Sequence, residues 1–138
     1  MDVNERVLLG KEIVKKGYNC CQAVLGSYVD VLDIDMDTAM HISYGLGGGV
    51  GHIREICGAL LGGAMVLSLR YGQIEADKTV KKSVEEITTE FLREFEASRG
   101  ALRCEELKGL KKIEGKEVRL GTCGAYIEET IILLEKYM

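Results

Sequence analysis

Apolar residues along this chain recur mostly at three- and four-residue intervals, and no stretch alternates long enough to make a convincing strand, so the pattern predicts helices. Asp2 caps a first helix that runs to Lys16 with Val3, Val7 and Val14 on one face, and Gly17 supplies its stop. Asn19 caps a second, from Cys20 to about Leu32, and Asp35 or Asp37 starts a short third that ends at Tyr44. A glycine-dense stretch, Gly45, Gly47, Gly48, Gly49 and Gly51, precedes an apolar helix from about Ile53 to Tyr71, closed by Gly72. A long amphipathic helix from about Ala76 to Ser98 carries Val80, Val84, Ile87, Phe91 and Phe95 on one stripe and ends at Gly100. A helical turn around Leu102 to Lys108, a polar loop, and a last helix from Cys123 to Tyr137 capped by Thr122 complete the chain. The predicted fold is all-α, one domain over residues 1–138 forming a compact helical bundle around a central glycine-rich apolar helix.

That helix earns its place by its wheel. At about 100° per residue, Gly58, Gly62, Ala59 and Gly63 fall on one side, where missing side chains let another backbone approach, and Cys57 falls on the other with Leu61, Ala64 and Ser68. A helix apolar all round must be surrounded by others. The apolar run from Ile56 to Leu69 is shorter than the ~20 residues that cross a bilayer, so no membrane span is predicted. The N-terminus lacks the charged start and continuous apolar middle of a secretory signal, and the expected location is cytoplasmic.

Composition refines this picture at three points. The 138 residues contain no proline, which leaves glycine to punctuate the chain, and they suffice to bury a core without staples. A net charge of -4 excludes a nucleic-acid footprint, which needs a basic face. The one basic cluster, Lys108, Lys111, Lys112, Lys116 and Arg119, is interleaved with Glu114 and Glu117 and reads as a solvated loop.

Chemistry concentrates in the five cysteines. In a reducing compartment, separated cysteines are metal ligands or reactive thiols more often than disulfides. Cys20, Cys57, Cys104 and Cys123 sit where predicted helices begin or pack, while Cys21, about 100° from Cys20 on a helix, reads as a spare. Cys20 is in register with Val24 and Val31, and Cys123 with Ile127, Ile131 and Leu134, so both thiols are expected to face inward. Each follows a capping residue, and the unpaired amides and dipole of a first turn favour a thiolate there; these two are the expected low-pKa sulfurs. The only histidines are His41 and His52; His52 is a hydrogen-bond donor or substitute ligand beside Cys57, or simply a surface imidazole. Arg54 either pairs with a thiolate or faces solvent. The glycine stretch fails as a phosphate loop: Val50 occupies the last glycine position of a GxGxxG begun at Gly45, no strand precedes it and no GK[ST] follows. Its glycines instead let the backbone pass close to the thiols and offer them N–H groups. Adjacent acids such as Glu85 and Glu86 diverge on a helix, and no hydrolytic motif is present, so no catalytic residue is assigned.

Four segments together resemble a known family of redox-active proteins, named for a cysteine, a GCAxxG motif and two further cysteines. Tyr18-Asn19-Cys20-Cys21-Gln22-Ala23-Val24 is similar to its first cysteine segment, and Glu55-Ile56-Cys57-Gly58-Ala59-Leu60-Leu61-Gly62 to its signature. Cys104-Glu105-Glu106-Leu107-Lys108-Gly109 and Gly121-Thr122-Cys123 are similar to the third and fourth. Cys21 departs from the family, which usually has a small residue there. The resemblance implies an iron–sulfur cluster, a group also attributed to a related domain of certain multihaem cytochromes; the chain has no CxxCH site, so haem is not implied.

The expected site is therefore Cys20, Cys57, Cys104 and Cys123 as cofactor and metal ligands, with Cys21 and His52 as substitutes. Thiolates admit zinc, copper(I) and iron–sulfur centres; structural zinc prefers closely spaced CxxC pairs, absent here, and four cysteines on separate elements suit a cluster better. The expected role is electron transfer or redox sensing with an unidentified redox partner protein. The alternatives are a metal-free thiol–disulfide protein and a non-redox binding module for a transport or regulatory partner. A homodimer through an apolar strip on the last helix is compatible with the sequence.

Overall fold

The computed structural model describes residues 1–109 and 121–138, and of the basic cluster only Lys108 lies within them. Seven α-helices occur among these residues: α1 (Val3–Lys15), α2 (Cys20–Gly26), α3 (Met36–Ile42), α4 (Gly58–Tyr71), α5 (Lys78–Arg99), α6 (Cys104–Leu107) and α7 (Cys123–Leu134). Short 3-10 turns follow α2, α3 and α7 at Val29–Val31, Tyr44–Leu46 and Glu135–Tyr137. No strand is present among the described residues; an isolated antiparallel bridge joins Ile56 to Arg103. No described helix is long and apolar enough to cross a membrane.

Side-chain caps set most helix starts. Asp2 and Glu5 form a capping box on α1, Asn19 and Gln22 another on α2, and Asp35, Asp77 and Thr122 accept first-turn amides of α3, α5 and α7. Gly100, at φ 85°, ends α5 in the left-handed conformation that glycine adopts without strain. The second helix stops at Gly26 rather than near Leu32. The Ser27 hydroxyl donates to the Val24 carbonyl, and the chain tightens into the 3-10 turn.

Of the expected valine stripe the first helix buries Val7, together with Arg6, Gly10 and Ile13, while Val3 is half-buried and Val14 is exposed. The reason is an ion pair that the apolar pattern omits. Arg6, only 4% exposed, donates to the Ser27 carbonyl at 2.7 Å and to Asp30 at 2.6 Å and lies over the Tyr28 ring. Gly10 lets Ile127 and Ile131 of α7 close against α1.

The glycines of α4 serve two neighbours. A Cβ on Gly62 would come within 2.8 Å of the Cys21 carbonyl, so α2 packs backbone-close on that side, whereas Gly63 accommodates Phe91 of α5 and Thr130 of α7. Ala59, Leu60, Val66 and Leu67 of this helix join Phe91, Phe95, Ile127 and Ile131 in one core. Of the amphipathic stripe on α5, Phe91 and Phe95 are buried, while Val80, Val84 and Ile87 are half-buried.

The largest difference from the sequence reading lies just before α4. That helix begins at Gly58, not Ile53, and Cys57 is its N-cap. Residues 48–52 and Arg54 all have positive φ, including Val50, His52 and Arg54 at 67°, 64° and 67°, a backbone region that costs a non-glycine residue about 1–2 kcal/mol. The loop is closed on itself by amides of Gly51, Arg54 and Glu55, which donate to the carbonyls of Gly45, Gly48 and Gly49.

Candidate functional site

Four helix starts meet at one cavity. Cys20, Cys104 and Cys123 are the first residues of α2, α6 and α7, and Cys57 caps α4. All four line a single cavity of about 210 Å³, together with Gly48, His52 and Arg54 from the glycine loop and Lys108 and Tyr126 from the far wall. Cys21 is not among the lining residues: it is fully buried on the other side of α2, with its thiol 3.9 Å from the Met65 sulfur.

Long-range backbone pairing brings Cys57 and Cys104 together. The Cys57 amide donates to the Leu102 carbonyl at 2.9 Å and the Cys104 amide to the Glu55 carbonyl at 2.6 Å, on either side of the Ile56–Arg103 bridge. Arg103 reinforces the pairing through Glu55 at 3.1 Å and Glu105 at 2.7 Å. Glu55 therefore serves this ion pair. Cys20 reaches the same space because Gly58 has no side chain, for a Cβ there would run into the Cys20 sulfur. Cys123 is brought in by α7, on which Tyr126, one turn along, donates its hydroxyl to the Leu107 carbonyl of α6.

The electrostatics of the site set burial against the helix starts. Burial pushes the Cys57 thiol up to about 12, against the Ala59 and Leu60 amides, which favour its thiolate without forming a full capping hydrogen bond. Burial also raises Cys20, opposed chiefly by the Gly48 amide. This corrects the expectation that Cys20 is a low-pKa sulfur: removing the thiolate from water outweighs the first-turn dipole. A thiolate at Cys20 is further opposed by negative charge at Cys123 and Cys104, and one at Cys57 by Cys20 and Cys104, as expected of thiols sharing a small volume. Cys123 is exposed rather than inward-facing, so it stands at the mouth of the cavity.

The charged lining residues, Arg54 and Lys108, are both cationic. Arg54 donates from Nη1 to the Cys104 sulfur at 3.6 Å, which settles its orientation. His52 is an exposed residue that also lines the cavity, whereas His41 lies outside the lining. Sequence reasoning missed Lys108, read there as part of a surface cluster, and Tyr126, whose place three residues after Cys123 on one helix face was the available signal. All five thiols are free, and among the described residues no three His, Cys, Asp or Glu side chains are grouped to hold a single metal ion as they stand.

A family model described as Putative redox-active protein (C_GCAxxG_C_C) matches residues 18–137. No curated protein and no solved structure matches the chain.

Proposed function

The chain belongs to the family described as Putative redox-active protein (C_GCAxxG_C_C), and from that premise we propose that Cys20, Cys57, Cys104 and Cys123 hold an iron–sulfur cluster, or failing that another thiolate-bound metal, for electron transfer or redox sensing. The observation that carries this reading is the convergence of four cysteine-bearing helix starts on one cavity with no carboxylate among the described residues of its lining. Thiolates suit such a centre. A single ion with metal–sulfur bonds of about 2.3 Å needs its sulfurs nearly in contact, a grouping the described residues do not offer; a centre of several irons spans more.

A bound cluster would supply a one-electron couple in a largely apolar setting. The protein's own contribution is to gather the thiols, give up their protons as metal enters, direct the Gly48, Ala59 and Leu60 amides toward sulfur, and balance the negative charge with Arg54 and Lys108. In this reading the chain works as one domain with the glycine-rich α4 as its central element, and a redox partner protein exchanges electrons through the face where Cys123 is exposed. Chain purified without oxygen should contain iron and acid-labile sulfide in similar amounts, with visible absorption that bleaches on reduction.

The competing reading is a metal-free dithiol–disulfide couple, favoured by the pairing that sets Cys57 near Cys104. Anaerobic protein without metal, from which two thiols disappear on mild oxidation and return with dithiothreitol, would establish that reading instead.

A further inference from the structure

We propose that Arg54 is the residue that biases the thiol site toward its reduced form, acting through the sulfur of Cys104. Its guanidinium donates to that sulfur at 3.6 Å, and among the described residues no carboxylate forms an ion pair with it. Neighbouring Arg103 is by contrast engaged by Glu55 and Glu105. The backbone makes the case sharper. Arg54 sits at φ 67°, where glycine is unstrained and any other residue is not, in a loop that already uses glycine at positions 48, 49 and 51. Arginine at this position carries a local conformational cost whose return lies in its side chain. The clamp that holds it is part of the site: the Arg54 carbonyl accepts from the Glu105 amide at 3.3 Å, and the next residue's carbonyl accepts from the Cys104 amide.

This inference rests on the redox reading above for its setting but separates from it in the test. One-electron reduction of a thiolate-bound centre adds one negative charge and breaks no bond. Reduction of a disulfide takes two electrons and one proton when it breaks the sulfur–sulfur bond to leave one thiol and one thiolate, the thiolate being the Cys104 sulfur that faces the guanidinium. In both cases a guanidinium at the sulfur favours the electron-richer product.

The experiment compares wild type, Arg54→Gly and Arg54→Lys, each purified anaerobically. Arg54→Gly removes the charge while relieving the backbone, so its thermal stability should equal or exceed that of wild type; Arg54→Lys keeps the charge. Redox titration of the visible spectrum with dithionite and mediators should show a lower midpoint potential for Arg54→Gly, by at least the ~59 mV that a tenfold change in a one-electron equilibrium represents, and recovery of most of that shift in Arg54→Lys. If the wild type holds no metal, the same three proteins are titrated in graded dithiothreitol buffers, and the reduced-to-oxidised ratio of Arg54→Gly at the wild-type midpoint should then be about tenfold lower. A metal-containing wild type whose midpoint is unmoved in Arg54→Gly overturns the Arg54 inference and leaves the metal reading intact. A metal-free wild type with a shifted dithiol couple does the reverse. No redox couple in any of the three overturns both.

Discussion

Replacing Gly62 with alanine tests the packing that carries Cys20 to the cavity. A Cβ at Gly62 would stand 2.8 Å from the Cys21 carbonyl oxygen, 3.0 Å from the Val24 Cβ and 3.4 Å from the Cys21 Cα. Two of these three atoms belong to the backbone of α2, so no rotamer change relieves the overlap and the helices must separate. Overpacking of this kind costs about 1–3 kcal/mol, here toward the upper end, against a gain of about 1 kcal/mol from the better helix propensity of alanine. The net expectation is a loss of about 1–2 kcal/mol, read as a lower urea midpoint at unchanged slope in far-ultraviolet circular dichroism. Gly124→Ala is the control. Its nearest neighbour would be the Thr122 hydroxyl at 3.7 Å, an ordinary contact, so the same substitution in α7 should be neutral or stabilising by up to about 1 kcal/mol. If Gly62→Ala is as stable as Gly124→Ala, the close approach of α2 to α4 is wrong, and with it the route by which Cys20 reaches Cys57.

Burial raises Cys57 and Cys21 from 9.0 to about 12, so the folded metal-free protein holds protons that the unfolded chain has released. Their contribution to stability should therefore be level below about pH 9 and fall between pH 9 and 12, by about 1.4 kcal/mol per unit for each of these two thiols, on top of the alkaline loss from Cys20 and Tyr28, which burial also raises; Cys21→Ala should lessen the slope by about one thiol's share in denaturation measured across the range, and a flat profile would contradict the burial of both thiols. Arg6→Met removes the buried partner of Asp30 and leaves the Ser27 carbonyl without its donor, a loss of about 2 kcal/mol by chemical denaturation once the partial exposure of Asp30 is allowed for. Because Arg6 lowers the Asp30 pKa below 3.8, wild-type stability from this pair is present above that pH and lost as pH falls through the depressed value, whereas Arg6→Met should lack that acid-dependent component.

Local chemistry was legible in the sequence wherever it acts within a few residues. The caps Asp2, Asn19, Asp35 and Thr122 and the stops at Gly72 and Gly100 all follow from short-range rules, and the structure places them accordingly. The beginning of α4 was not legible, because propensity gives no warning that Val50, His52 and Arg54 take positive φ; that conformation is imposed by a loop closed through hydrogen bonds and by pairing with residues about fifty positions away. Arg6 was hidden because a charged residue on an apolar face is read as solvent-facing until its distant partner, Asp30, is known. The places of Cys20 and Cys123 at helix starts could be read from Asn19 and Thr122, but those of Cys57 and Cys104 could not, nor could the balance of forces on each thiol. For Cys20 the dipole argument gives one sign, and burial, a property only of the assembled chain, gives the other and prevails.

The claim beneath this account is that four cysteines from four separate helix starts make one site and the fifth does not. The most direct measurement is iron bound per chain after anaerobic reconstitution of five single variants, each with one cysteine replaced by alanine and each checked for folding. Cys20→Ala, Cys57→Ala, Cys104→Ala and Cys123→Ala should all lose most of the iron held by the wild type, while Cys21→Ala should keep it. Retention of full iron by any of the four, or its loss in Cys21→Ala despite an intact fold, would contradict it.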